Sequence, residues 1–196
     1  MKTNKQRITQ ITGIGLLSAI VLVLQLLGSF IHLGMFSISL VLLPIVIGAA
    51  LYGPFAGAWL GLVFGGAVFL SGDASAFLSI SIPGTIITVL LKGLLAGLAA
   101  GYVYKLLVNK NKTVATICAA VVCPVVNTGV FLLGCATFFL NAIRTWVPSD
   151  FGGNVVMYMI VALVGFNFIA ELVLNLILCP TVVHIVDIGK KYFAKR

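Results

Sequence analysis

The sequence predicts an all-α polytopic membrane protein, one domain of six transmembrane helices spanning residues 1–196, with N- and C-termini in the cytoplasm. Three observations predict it. The chain of 196 residues is 61% hydrophobic and 8% charged, and its mean hydropathy of +1.22 exceeds what a soluble domain of this length keeps in solution. Its apolar residues form runs long enough to cross a bilayer at about 20 residues and 1.5 Å rise each. Its basic residues gather between alternate runs, as they do in loops held in the cytoplasm.

The spans follow in order. The first, 8–28, comes after Lys2, Lys5 and Arg7. It is too long for a signal peptide and has no small-residue cleavage site before a soluble domain, so a retained helix is expected. Spans 37–52 and 54–71 are separated by Tyr52-Gly53-Pro54, where glycine ends one helix and proline opens the next. Spans 83–107, 113–142 and 154–185 complete the set. Lys105, Lys110 and Lys112 lie between the fourth and fifth spans, and Lys190, Lys191, Lys195 and Arg196 at the C-terminus. With the N-terminal cluster, ten of the twelve basic residues fall on one side, and the opposite loops hold only Arg144. The positive-inside rule therefore places both ends in the cytoplasm.

Several function classes are excluded. The net charge of +8 reads as topology, because no basic face with aromatic support for nucleic acid accompanies it. Cys118, Cys123, Cys135 and Cys179 lie in apolar runs without metal-ligand spacing, so neither a disulfide framework nor zinc is expected. No cofactor is expected. The chain carries no G-x-x-x-x-G-K-[ST] phosphate loop, so energy from ATP has to come through a partner.

Small residues repeat every four positions at Gly57, Gly61 and Gly65, and again at Gly93, Gly97 and Gly101. Such stripes let helix backbones approach closely in lipid, either within the bundle or against another subunit. Gly15 and Ala19 make a third pair on the first span.

Ionisable groups at mid-bilayer cost at least about 2.5–3.5 kcal/mol and are expected to face a cavity or a partner. Lys92, near mid-depth of the fourth span, and Glu171, deeper on the sixth, are the two. Asn167 and Asn175 flank Glu171 at helical spacing, and Asn127 and Thr128 follow Pro124, whose ring frees a backbone carbonyl one turn earlier. Three spans thus direct polar groups to a common level, the pattern of a solute pocket. Lys92 either holds an anionic solute group or pairs with Glu171, and the asparagines either contact solute or bond between helices. Arg144 and Trp146 suit a water boundary, as interface anchors or as ligand contacts. His32 reads as a solvated loop residue, and His184 suits a helix C-terminus.

The segment S-I-S-L-V-L-L-P-I-V-I-G-A-A-L-Y-G-P-F-A-G-A-W-L-G at 37–61 and the run K-G-L-L-A-G-L-A-A-G-Y-V-Y-K at 92–105, in the setting of six spans, resemble the membrane-embedded S components of energy-coupling factor (ECF) vitamin transporters. The resemblance covers nearly the whole chain. It implies a subunit that binds a vitamin while a transmembrane coupling subunit and two cytoplasmic ATPases supply energy, and that reorients in the bilayer to deliver its solute. It implies a lid in the loop after the first span, which maps onto Phe30, His32 and Phe36, and a docking role for Gly15 and Ala19, where the family usually shows alanines.

Chemistry narrows the solute. A small, flexible, hydroxylated anion asks for one cation and several amide or hydroxyl partners, and Lys92, Asn127, Asn167, Asn141 and Thr85, with Phe36, Arg144 and Trp146 toward the outside, form such a set. Pantothenate fits it best, and the sequence is more similar to pantothenate-type S components than to riboflavin or thiamin types. Folate, riboflavin and nicotinate are alternatives. From other classes come a self-sufficient carrier, which lacks an acidic ring or filter here, and an intramembrane hydrolase, for which no serine stands in a nucleophile context.

Overall fold

The computed structural model describes residues 4–29, 32–33, 36–37 and 40–194. Helix α1 (Asn4–Gly28) leads to a short antiparallel ribbon of β1 (His32–Leu33) and β2 (Phe36–Ser37), paired His32 with Ser37 and Leu33 with Phe36. Helices α2 (Leu42–Tyr52) and α3 (Pro54–Ser71) follow, then the single turn α4 (Ser75–Leu78) and the long α5 (Ile82–Leu107). The next transmembrane rod is α6 (Lys112–Gly134), a π segment Cys135–Phe139 and α7 (Leu140–Trp146). After a 3-10 turn at Ser149–Phe151, the last rod runs through α8 (Val155–Tyr158), a second π segment Met159–Gly165 and α9 (Phe166–Ala194).

Five of these rods are long and apolar enough to cross a membrane, and Leu42–Tyr52 is a shorter apolar helix. The chain is a multi-pass membrane protein. The expected second span at 37–52 is thus trimmed: its first residue, Ser37, pairs in the ribbon, and helix begins only at Leu42, two residues before Pro44. Proline is tolerated in a first turn, where its missing N–H would have no partner in any case. The hairpin between α2 and α3 turns on Gly53, whose φ of +101° excludes a side chain at little cost only for glycine, and Pro54 opens α3.

The two glycine stripes pack against each other inside the bundle. A methyl group built on Gly61 would overlap the carbonyl of Gly93, one on Gly57 that of Gly97, and one on Gly101 the backbone of Pro54. Helices α3 and α5 therefore meet backbone to backbone, the close approach that small residues permit in lipid. Around this seam Leu42, Ile45, Leu60, Phe64, Val89, Ala96 and Cys123 join α2, α3, α5 and α6 into the larger core. A smaller core of Phe77, Cys135, Phe139, Ile143 and Leu163 sits at the end of the bundle that holds α4 and both π segments. Helix α1 lies on the outside and leaves Ile8, Ile11, Leu16, Val23 and Leu27 more than half exposed, a face matched to hydrocarbon rather than to water.

Candidate functional site

Between the two cores the bundle holds a partly open cavity of about 80 Å³. Helix α5 builds one wall. Thr85, Thr88 and Lys92 fall at spacings of three and four, which places them on one helical face, and all three line the cavity. The Lys92 ammonium lies 5.5 Å from the centre of the Phe64 ring and 5.2 Å from that of Phe131. Both distances are within reach of cation–π attraction, which partly offsets the loss of water around the charge. The Thr85 hydroxyl donates to the Ser81 carbonyl at 2.7 Å and so is tied to its own helix.

Helix α6 contributes Asn127, Thr128 and Phe131, and α9 contributes Asn167 and Glu171. Asn167 Nδ2 donates to Glu171 Oε1 at 3.4 Å, one helical turn away. Among the described residues three cavity oxygens are buried with no hydrogen-bond partner: Thr88 Oγ1, Asn127 Oδ1 and Asn167 Oδ1. A buried polar atom left unsatisfied costs about 1–3 kcal/mol, so these three ask for a solute or for water. Asn175 Nδ2 is in the same condition but lies outside the cavity lining.

A polar network stands where α1 meets the turn after α3. Gln25 Nε2 donates to Asp73 Oδ2 at 2.7 Å and to Ser71 Oγ at 3.3 Å, and Ser71 Oγ donates to Asp73 Oδ2 at 3.2 Å. Gln25 and Asp73 both line the cavity. Next to them Phe77 of α4 packs edge-on against Phe131, Phe139 and Trp146 at centroid distances of 5.5, 5.0 and 5.8 Å.

Of the residues expected to contact solute, the structure thus brings together Lys92, Thr85, Asn127 and Asn167, with Glu171 beside them. It does not bring Asn141, Arg144 or Trp146 into the lining. Asn141 and Arg144 are exposed, and Trp146 instead backs Phe77. Asn141 stands fourteen residues, about 21 Å of helix rise, beyond Asn127, and the π segment at Cys135–Phe139 lies between them. Fourteen residues at about 100° each bring Asn141 back to within about 40° of Asn127, but a π turn takes an extra residue and rotates everything beyond it by about 100°. Phe36 and His32 are in the ribbon, with side chains outside the description, and Phe30 lies outside the described residues. Gly15 and Ala19 are exposed on α1, and nothing comes within 4 Å of a methyl group built on Gly15.

Sequence reasoning passed over Gln25, Asp73, Thr88 and the rings Phe64, Phe77, Phe131 and Phe139. Two of these had a readable signal: Gln25 is a lone amide in the apolar run V-L-V-L-Q-L-L, and Thr88 is one turn from Lys92. Asp73 falls between the expected spans 54–71 and 83–107, and there the α4 turn brings Phe77 into the cavity lining with it.

Compared with known proteins, residues 9–183 match the family model of the ECF transporter, substrate-specific component. No curated protein and no solved structure matches the chain.

Proposed function

Since the chain belongs to the ECF transporter, substrate-specific component family, we propose that its cavity is the seat of a vitamin and that pantothenate is the vitamin it takes. Members of this family are transport subunits that work with a coupling subunit and ATPases. The observation that carries the reading is the cavity itself: one ammonium, Lys92, among Thr88, Asn127 and Asn167, whose buried oxygens have no partner in the structure. In this reading the Lys92 ammonium meets the pantothenate carboxylate. Asn127 and Asn167 serve its amide, and its hydroxyls donate to Thr88, Glu171 or Asp73. A carboxylate–ammonium contact in such a site is a charge-assisted bond and contributes more than a neutral one.

With both termini in the cytoplasm, the end of the bundle holding Asp73 and α4 faces outward, and solute enters there under a lid formed by Phe30, His32 and Phe36. Gly15 and Ala19, exposed on α1, meet the coupling subunit, and reorientation in the bilayer carries the cavity to the cytoplasmic side. Purification of the chain from its host tests the division of labour. Copurification with ATPases and ATP-dependent uptake supports it, whereas full uptake by this chain alone in liposomes refutes it.

A second reading has its own support. The rings of Phe64, Phe77, Phe131 and Phe139 all reach the cavity, and apolar aromatic walls suit a planar vitamin such as riboflavin. Titration of the purified chain with pantothenate, folate, riboflavin, thiamin, biotin and nicotinate separates the two. Pantothenate binding lost in Lys92→Met supports the first. Its absence in the wild type, or its persistence unchanged in Lys92→Met, removes it.

A further inference from the structure

Asp73 and Glu171, two of only four acidic residues in the chain, line the same cavity as Lys92. They come from different elements, the turn after α3 and the second turn of α9. Asp73 is held by Gln25 and Ser71 at 2.7 and 3.2 Å. Glu171 is 4% exposed and accepts from Asn167 at 3.4 Å. Against these two carboxylates the lining sets one ammonium.

The neutral groups lean the same way. Thr88 is 3% exposed and Asn127 7%, and each turns into the cavity with an oxygen that has no hydrogen-bond partner in the structure. The two carboxylates can only accept, and the Thr88 and Asn127 oxygens can accept beside them. A solute here finds one place for an anionic group and several for O–H or N–H donors.

We propose that Asp73 and Glu171 are specificity-determining residues of this site, limiting it to donor-rich solutes with at most one anionic group and rejecting forms that carry a second carboxylate or an added phosphate beside the first. This rests on the binding-subunit reading above. A first anionic group is met by Lys92. A second has no further cation among the described lining residues and faces a lining with two carboxylates. Like charges about 6 Å apart at an effective dielectric of about 20 repel strongly enough to weaken binding about 100-fold. Hydroxyl and amide donors gain from the same carboxylates, because bonds to an ionised acceptor are the stronger kind.

The test uses probe pairs in which one member carries a second anionic group: pantothenate and 4′-phosphopantothenate, pteroate and folate. Each is titrated against the full chain in lipid nanodiscs, as wild type, Asp73→Asn, Glu171→Gln and the double variant, with a melting curve for each. In wild type the more anionic member of a binding pair is expected to bind about 100-fold more weakly. In the double variant the gap shrinks to below about 10-fold, while the less anionic member also loses affinity. A gap unchanged in variants that melt like wild type overturns the proposal. Should neither variant fold, equal binding of both members of a pair by wild type overturns it. Binding of none of the probes overturns the binding-subunit reading, and this inference falls with it.

Discussion

The seam between α3 and α5 makes a graded prediction from three neighbouring glycines. At Gly61 an added methyl group would run into the carbonyl of Gly93. No side chain is there to swing aside, so the helices have to part by roughly 1–1.5 Å to restore ordinary contact. Overpacking of this kind costs about 1–3 kcal/mol. At Gly65 the nearest atoms are the Val89 carbonyl at 3.0 Å and the end of the Leu90 side chain at 3.1 Å. An adjustment of a few tenths of an ångström suffices there, and the better helix propensity of alanine, about 0.5–1 kcal/mol, largely offsets it. At Gly66 nothing lies within 4 Å, so only the propensity gain remains. With the same propensity gain set against the overpacking, and about 2–4 °C of melting temperature per kcal/mol in a chain of this size, Gly61→Ala is expected to melt up to about 10 °C lower, Gly65→Ala about level, and Gly66→Ala level or slightly higher. The assay is thermal unfolding in detergent read by a thiol-reactive dye, since Cys123, Cys135 and Cys179 are buried and become reactive on opening. If Gly61→Ala melts no lower than Gly66→Ala, the helices do not meet through these backbones and the reasoning fails.

Other expectations can be checked on the same preparations. Thr88→Val keeps the side-chain shape and removes a buried hydroxyl that has no partner in the structure, so the empty protein should melt at the same temperature or higher while solute affinity drops about 5-fold or more; a lower melting temperature would mean the hydroxyl is bonded in the empty state. Gly15→Leu points into open space and should leave folding and solute binding intact but abolish ATP-driven uptake with the partner subunits; normal uptake in cells expressing this variant counts against docking there. The Lys112–Asp187 pair is 4.0 Å apart with side chains 61% and 40% exposed, so Asp187→Asn should shift melting by no more than about 2 °C, in keeping with the small worth of surface ion pairs; a larger drop indicates a role beyond that pair.

How far the sequence could be read depended on whether a feature was local. Hydropathy located the rods because crossing length is a property of consecutive residues, and Gly53-Pro54 marked the hairpin because both residues act on their own backbone. Lys92, Asn127 and Asn167 were legible as cavity residues because a polar group in an apolar run has few places to go. What escaped was non-local. The one-turn helix at Ser75–Leu78 carries no periodic signal, so Asp73 and Phe77 passed for loop residues. The π segment at Cys135–Phe139 changes helical phase without any proline or glycine of its own, so the direction in which the end of that rod faces carried no local signal. The glycine stripes showed that something packs closely, but only the fold reveals that each is the other's partner.

That mutual partnership separates what the protein can vary from what it cannot. A contact made of two side chains tolerates drift, since enlargement on one side is matched by reduction on the other. A contact made of two backbones has nothing left to reduce, so positions 57, 61, 93 and 97 offer no compensating exchange. Lys92 is bonded directly to Gly93 and inherits this fixity, whereas Asn127, Asn167 and Glu171 stand on helices outside the seam. Solute preference is therefore free to be rewritten on α6 and α9, by evolution or by design, around a charge whose position is not negotiable.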